Sequence, residues 1–296
     1  MLFKSSHYNQ VKASFKTALG DRFSPSEIGL IWRESLNHFF GISQNEQITA
    51  RDMVFSSNQC EKLKSLIIRL NNGEPFQYII GEVEFLGLTL QIDSRALIPR
   101  PETEELTAWI IPEYQQNAQS VLDVCSGSGC ISLALSDAFE KAQVIGIDIS
   151  AEAVQLAEEN ALALKLPVVY QTIDILNTQA FSECLAKTTQ NNGLFDVVVS
   201  NPPYILKQEK QEIESTVLDH EPELALFVPN EDPMLFYRSI AQSIAPYLST
   251  KGSLYFECHY LYLEDIRVML TELGYKNVEK RKDLQGKWRL LKAQKS

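Results

Sequence analysis

The sequence predicts an α/β chain: a Rossmann-like sheet beginning near Ser120, preceded by a small helical bundle and joined to it by a β-hairpin. Three observations carry this. From Ser120 onward, short β-branched apolar runs alternate with helix-length stretches, the pattern of a buried parallel sheet. Before residue 75 the apolar residues recur only at helical spacing. Between the two, Val83 and Phe85, then Leu86-Gly87, then Leu88, Leu90 and Ile92 alternate across a turn. Residues 1–80 are therefore expected to form a helical domain, 81–97 a hairpin linker and 98–296 the sheet domain.

Composition narrows the class. At 296 residues, one large domain or two are expected. A net charge of −11 argues against a broad nucleic-acid-binding surface, and no direct nucleic-acid binding is expected. The five cysteines (60, 125, 130, 184 and 258) include no CxxC pair, and the four histidines have no ligand spacing to one another. Neither a disulfide framework nor a metal site is suggested, which points to the reducing cytoplasm. No apolar run reaches the roughly 18 residues of a membrane span, and the N-terminus has no long apolar core with a cleavage site. A soluble protein that is not exported is expected.

The helical part reads in order. Val11, Phe15 and Leu19 share one face of a first helix. Ser24-Pro25-Ser26-Glu27 is a start signal, with Ser24 as N-cap and Pro25 in the first turn. The helix it starts carries Ile28, Ile31, Trp32, Leu36 and Phe39-Phe40. A third helix from Asn58 to Leu70 has Leu63, Leu66, Ile67 and Leu70 as its stripe and closes at Asn72-Gly73. These stripes are a bundle's core. No chemistry is visible among them, so partner recognition is the natural role of this segment. After the hairpin, Leu97-Ile98-Pro99-Arg100-Pro101-Glu102-Thr103-Glu104 stays extended on its prolines until Thr103 or a neighbour starts a helix through Trp109 and Ile111. Arg100 and two carboxylates either line a site or form a salt-bridged helix entry.

The sheet follows. Val121-Leu122-Asp123-Val124 is a strand, Cys125-Ser126-Gly127-Ser128-Gly129-Cys130 a small-residue loop, and Ile131 to Phe139 the helix behind it. Glycines let the backbone approach a ligand, and the helix N-terminus offers free N–H groups. Val144 to Asp148 is the second strand. Its final acid stands 19 residues after Gly129, a spacing that suits a carboxylate accepting from ribose hydroxyls. Ala151 to Leu164 is a helix and Val168 to Thr172 the third strand, with Asp174 and Ile175 beyond it where an adenine edge can be met. A dinucleotide would want a third glycine, and Ser132 stands there. A sulfonium methyl donor needs no pyrophosphate cradle and takes an acid ahead of the loop, here Asp123, to hold loop amides or the donor's ammonium end. For the loop alone, a structural turn is the plain alternative.

Phe195 to Ser200 is the fourth strand, and Asn201-Pro202-Pro203-Tyr204 follows it. Two prolines stop the strand in a stiff extended turn. Asn201 thus sits at a strand's carboxyl end, where open α/β sheets bind ligands. Its amide offers one acceptor oxygen and a two-hydrogen donor, which suits a planar amide or an exocyclic amine. Leu218 to Phe227 and Asn230 to Pro233 form a long polar connection, read as a functional loop or lid. A helix from Met234 to Leu248, a strand from Ser253 to Cys258, a helix from Leu263 to Leu273, and an antiparallel pair at Val278–Arg281 and Trp288–Leu291 complete the chain. The basic tail from Lys276 reads as a solvated sheet edge.

Together these motifs resemble the protein-glutamine N5-methyltransferases that modify peptide chain release factors. The resemblance covers residues 74–296. It rests on Phe76-Gln77-Tyr78-Ile79-x-Gly81, Leu97 to Glu104, Leu122 to Ile131, Asp148, Asn160-Ala161, Asn201 to Tyr204, Glu221-Pro222 with Ala225-Leu226, and Asp283-Leu284-x-Gly286. It implies a seven-stranded class I methyltransferase sheet and a helical domain at 1–80 that recognises substrate. It also implies S-adenosyl-L-methionine as cofactor, held by Asp123, Cys125, Ser126, Gly127, Ser128, Gly129, Asp148, Asp174, Ile175 and Asn201. The implied partner is a release factor, methylated at the glutamine of a Gly-Gly-Gln tripeptide. Asn201, Pro202 and Tyr204 are then the catalytic group and, with Pro203, the substrate-binding turn. In that reading the Asn201 oxygen and the Pro202 carbonyl accept the two amide hydrogens, and Tyr204 packs on the amide plane. Two departures bear on the donor loop: Cys125 stands where the family often has the first loop glycine, and Glu257-Cys258-His259-Tyr260 lacks the usual glycine after the acid.

Two other readings stay open on sequence. The same turn suits an N6-adenine methyltransferase, with the base stacked on Tyr204. The acidic balance counts against it. A non-catalytic adapter that binds the donor is the other, and Asp123, Asp148 and Asn201 count against that.

Overall fold

A computed structural model describes residues 2–114 and 118–295; residues 1 and 296, the outer limits of the expected domains, lie outside the described residues, as do 115–117. The chain divides into two compact units, Met1–Gly81 with Ser215–His220, and Glu82–Glu214 with Glu221–Ser296.

In the first unit, α1 (Tyr8–Leu19), α2 (Pro25–Phe40), α3 (Gln44–Thr49), α4 (Ser57–Asn71) and α5 (Phe76–Ile80) follow one another. The stripes of α1, α2 and α4 meet in one core, with Phe15, Trp32, Leu36, Leu63 and Leu66 fully buried. Capping boxes at Ser24–Glu27 and Ser56–Gln59 fix where α2 and α4 start. Helix α3 is not predicted by periodicity because it buries no side chain; a third capping box, Ser43–Glu46, starts it.

The second unit opens with the hairpin, β1 (Glu82–Phe85) and β2 (Leu88–Gln91), turning on Leu86-Gly87. Both turn residues have positive φ, 47° and 82°, as a two-residue turn matched to strand twist requires. The hairpin is not a linker. Phe85 and Leu90 are 1% and 0% exposed in the core of this unit, and Glu104 accepts from the Leu86 N–H at 2.7 Å. The Asn160 side chain pairs with both backbone groups of Gln91, at 2.7 and 3.0 Å. The expected boundary at residue 97 is corrected accordingly.

Next come α6 (Pro101–Tyr114), β3 (Ser120–Val124), α7 (Cys130–Ala138), β4 (Gln143–Asp148), α8 (Ala151–Leu164), β5 (Val168–Thr172), α9 (Thr178–Asn192) and β6 (Phe195–Ser200). The connection after Asn201 is largely ordered into short elements: β7 (Ile205–Leu206), α10 (Ser215–His220), which belongs to the first unit, α11 (Glu223–Leu226) and β8 (Phe227–Val228), with β7 and β8 paired in parallel. Then α12 (Leu235–Ile244), β9 (Leu248–Glu257), α13 (Leu263–Glu272), β10 (Lys276–Lys282) and β11 (Trp288–Gln294) complete the chain.

The strand order is β10-β11-β9-β6-β3-β4-β5, the expected seven-stranded α/β sheet. Strands β9, β6, β3, β4 and β5 are parallel, and β11 runs against both of its neighbours. Alternate residues feed two cores: Val121, Val197 and Val199 face one, Leu122, Val124 and Val198 the other. The chain steps outward from β3 to β5, then crosses to β6 on the other side of β3. The order reverses at β3 and β6, where such sheets form their ligand crevice. Of the basic tail, Lys280, Arg281 and Lys282 are exposed on the edge strand β10, as expected. Lys292, on the inner strand β11, is instead buried and donates to Glu113 at 2.6 Å. Among the described residues no helix is long and apolar enough to cross a membrane.

Candidate functional site

The carboxyl ends of β3, β4, β5 and β6 open on a cavity of about 260 Å³. Each strand end supplies one part of its wall. After β3 comes the loop Cys125–Ser128, after β4 Asp148, after β5 Asp174 and Ile175, and after β6 Asn201 and Pro203. Arg100 and Thr103 line it from the start of α6, and Pro222, Leu224, Ala225 and Phe227 from the ordered connection.

The loop is shaped by backbone conformation and by Asp148. Cys125, Gly127 and Gly129 all have positive φ, at 63°, 54° and 82°. The Ser126 N–H donates to Ile147 O at 3.0 Å, and Gly129 N–H to Ser126 O at 2.8 Å. Asp148 Oδ2 accepts from the Gly127 N–H and Oδ1 from the Ser150 N–H, both at 2.9 Å. Burial pushes its carboxyl up, and these backbone bonds pull it back. Gly129 has no room for a side chain: a Cβ there would lie 2.4 Å from the Tyr170 hydroxyl. Ser126 Oγ is buried with no hydrogen-bond partner.

Cys125 is a non-glycine residue in the left-handed region, a conformation that costs roughly 1–2 kcal/mol. Its thiol is pushed well up by burial and by the nearby Asp148 charge. Cys125→Gly is expected to hold or raise stability by up to about 1 kcal/mol, strain relief slightly exceeding the added chain entropy. Cys125→Val, β-branched at positive φ, is expected to be the least stable. Thermal unfolding checks the order; a glycine variant clearly less stable than the parent refutes it.

The second half of the site is a hydrogen-bonded group around Asn201. Asn201 Nδ2 donates to Thr103 Oγ1 at 3.0 Å. Thr103 Oγ1 donates to Glu257 Oε2 at 2.6 Å, and the Tyr204 hydroxyl donates to Glu257 Oε1 at 3.0 Å. Glu257, the last residue of β9, is 1% exposed. Burial pushes its carboxyl up, while the hydrogen bonds from Thr103 and Tyr204 hold it down. Arg100 is paired with both oxygens of buried Glu221, at 2.7 and 2.8 Å, and also borders the cavity. Arg100 thus borders the cavity, but its ion-pair partner is Glu221, 121 positions away, and not a carboxylate of the helix entry. Glu104 serves the hairpin instead.

Several expected site residues do not line the cavity. Asp123 is 0% exposed and lies beneath the loop, with Oδ2 accepting from the Ser132 N–H of α7 at 3.0 Å. One oxygen holds a helix amide and the other, Oδ1, is buried without a hydrogen-bond partner; the side chain is not part of the cavity wall, and strand alternation puts it on the same face as Val121, toward the helices. Its burial pushes the carboxyl up to about 7. Gly129 faces Tyr170. Pro202 is buried outside the wall, and the Tyr204 ring meets His259 in an edge-type contact, at 5.9 Å between centroids, instead of bordering the cavity. Thr103 and Glu257 went unassigned in the sequence because the bond that joins them spans 154 positions. Among the described residues no group of three or more His, Cys, Asp or Glu side chains could hold a metal ion.

The arrangement offers a carboxylate, a glycine loop and a strand-end amide around one cavity. The chain is similar to known methyltransferases. The Methyltransferase small domain profile matches residues 103–223, and the PrmC N-terminal domain profile matches residues 27–81. A release factor glutamine methyltransferase of Bacteroides thetaiotaomicron is 36% identical over 285 residues, 96% of this chain and 99% of the relative. Another, from Flavobacterium psychrophilum, is 34% identical over 95% of this chain and 96% of the relative. A methyltransferase structure from Pyrococcus furiosus shares the fold, with a TM-score of 0.51 at 17% identity over 82% of this chain and 100% of that one.

Proposed function

The chain belongs to the release factor glutamine methyltransferases, and we propose that Asn201 presents to the methyl donor the side-chain N5 of the glutamine in a release factor's Gly-Gly-Gln motif. The cofactor is S-adenosyl-L-methionine. One observation carries the assignment. Asn201 lines the same cavity as the donor loop, and its Oδ1, unlike its Nδ2, has no hydrogen bond to any described residue.

The cavity's own polar atoms fit the donor. Ser126 Oγ is buried and unpartnered, Asp148 brings a carboxylate to the wall, and Asp174 with Ile175 closes the end beyond β5. When bound, the donor supplies a methyl on a sulfonium, an electrophile that needs no further activation. What remains for the protein is placement. A carboxamide nitrogen is a poor nucleophile because its lone pair is delocalised into the carbonyl. An acceptor at one of its hydrogens aims the nitrogen and favours charge leaving it. Asn201 Oδ1 is that acceptor, Pro203 walls the turn, and no base of tuned pKa is required because the methylated amide sheds its proton readily.

The apolar stripes of the first unit form its own core, and we assign this unit to docking the release factor away from its glutamine. Reducing cytoplasm is the compartment that fits the five free cysteines. The test is to incubate the full-length chain with labelled donor and recombinant release factor, then map the label by peptide mass spectrometry. Label on the Gly-Gly-Gln glutamine is expected. A short peptide carrying the same tripeptide should show kcat/KM lower by roughly tenfold or more, since it lacks the second contact. Label on adenine of added DNA or RNA and none on release factor would replace this reading with the nucleic-acid one. Equal efficiency on peptide and whole factor would remove the docking role.

A further inference from the structure

We infer that Thr103 and Glu257 are positioning residues: the buried Glu257 carboxylate fixes the direction of the Thr103 hydroxyl, and that direction turns the Asn201 amide so that its oxygen faces the cavity. This rests on the assignment of Asn201 above and explains how one of two nearly isosteric amide orientations is selected.

The argument is a count of hydrogens. An ionised carboxylate only accepts. Glu257 receives the Thr103 hydroxyl at 2.6 Å on one oxygen and the Tyr204 hydroxyl at 3.0 Å on the other. Thr103 has a single hydroxyl hydrogen, and it is committed to Glu257. Toward Asn201, at 3.0 Å, Thr103 can therefore present only a lone pair. The amide must answer with its NH₂ group, which leaves Oδ1 free. Flipping the amide would set its oxygen against the Thr103 oxygen with no hydrogen between them, losing one hydrogen bond in a half-buried site. Without Glu257 the Thr103 hydrogen is free to turn to Asn201, and both amide orientations become acceptable. In the flipped one the cavity receives an NH₂ group, a donor where the substrate also brings donors.

The position of Glu257 agrees with this role. It is 1% exposed, its side-chain oxygens accept from two neutral hydroxyls, and the Arg289 charge favours its ionised form without an ion pair between the two among the described residues. Burying a carboxylate whose hydrogen-bond partners are neutral hydroxyls is expensive, so stability alone does not account for it. Thr103 itself is 3% exposed, so its hydroxyl has little access to water as an alternative partner.

The experiment compares Thr103→Val, Thr103→Ser and Glu257→Gln as full-length proteins. Single-turnover methyl transfer is measured at saturating donor and release factor, with donor Kd by calorimetry. Valine keeps the shape and loses the hydroxyl. Glutamine keeps the shape and brings an NH₂ group that competes for the Thr103 lone pair. Both are expected to slow the chemical step by about tenfold or more, the scale of a small misplacement, with donor Kd within about twofold of the parent and the release-factor KM little changed. Thr103→Ser should recover most of the loss. In an Asn201→Ala background, Thr103→Val should add nothing, because its effect passes through Asn201. Full additivity of the two, or wild-type rates in both Thr103→Val and Glu257→Gln, overturns the positioning role while leaving Asn201 in place. A near wild-type Asn201→Ala instead removes the assignment of Asn201 itself. If Thr103→Val does not fold, Glu257→Gln combined with Asn201→Ala gives the same comparison.

Discussion

Replacing Asn201 by alanine is expected to lower the single-turnover rate of methyl transfer by about 10²–10³, by analogy with the removal of one preorganised oxyanion contact. The effect belongs to the chemical step because the Asn201 oxygen has nothing to do in the free protein: among the described residues only Nδ2 is engaged, with Thr103. The fold should survive, since the variant loses a single hydrogen bond in a half-buried place, roughly 1 kcal/mol. Donor Kd is expected to shift modestly, because Asn201 borders the same cavity as the loop. Asn201→Asp separates the amide's two halves. It keeps an acceptor for the substrate but turns a second acceptor toward Thr103, whose hydrogen already belongs to Glu257. Activity between that of the alanine variant and the parent is expected. Single-turnover kinetics at saturating donor separates chemistry from binding. A folded Asn201→Ala protein with a near-parental rate would end the case for this turn as the methyl-acceptor site.

The parts of the molecule that were legible in the sequence are those whose signal is local. β-Branched runs gave β3, β4 and β6, the apolar stripes gave α1, α2 and α4, and the Leu86-Gly87 pair gave the hairpin turn. The acid or amide at each strand end follows from the strand boundaries, so Asp148, Asp174 and Asn201 are candidates on the sequence alone. What failed was of two kinds. Helix α9 was missed because its buried side is only Phe181, Cys184, Leu185 and Thr188 in an otherwise polar stretch. Its stripe is too weak to stand out from a connection. The second kind is non-local. Whether the hairpin is a linker depends on Phe85 and Leu90 reaching the core of the second unit. Tyr204 reads as an aromatic face for the substrate, yet its hydroxyl is spent on Glu257, 53 positions away, and the ring does not border the cavity. Asp123 is the instructive case. Its place ahead of the loop suggests loop amides or the donor's ammonium end as partner; the alternation of β3 turns it toward α7, where Oδ2 takes the Ser132 N–H and Oδ1 stays buried without a hydrogen-bond partner.

Asp148→Ala is expected to weaken S-adenosyl-L-methionine binding by roughly 1.5–3 kcal/mol, the scale of hydrogen bonds to a charged group, or about 10- to 150-fold in Kd. The structure splits that loss into two sources. One is direct: Asp148 brings its carboxylate to the cavity wall at the end of β4, where a ribose's hydroxyls would find it. The other is indirect. Oδ2 tethers the Gly127 N–H at 2.9 Å, and Gly127 sits at φ 54° in the loop that walls the donor site. Removing the carboxylate frees the Gly127 amide in that loop, so some affinity is lost through the loop alone. A donor analogue lacking the ribose 2′-hydroxyl tells the two apart. If the direct contact dominates, the analogue binds the parent more weakly than the donor does, and Asp148→Ala binds both alike. If the tether dominates, the variant weakens donor and analogue by the same factor. Unchanged donor affinity in titration calorimetry would take Asp148 out of the site altogether.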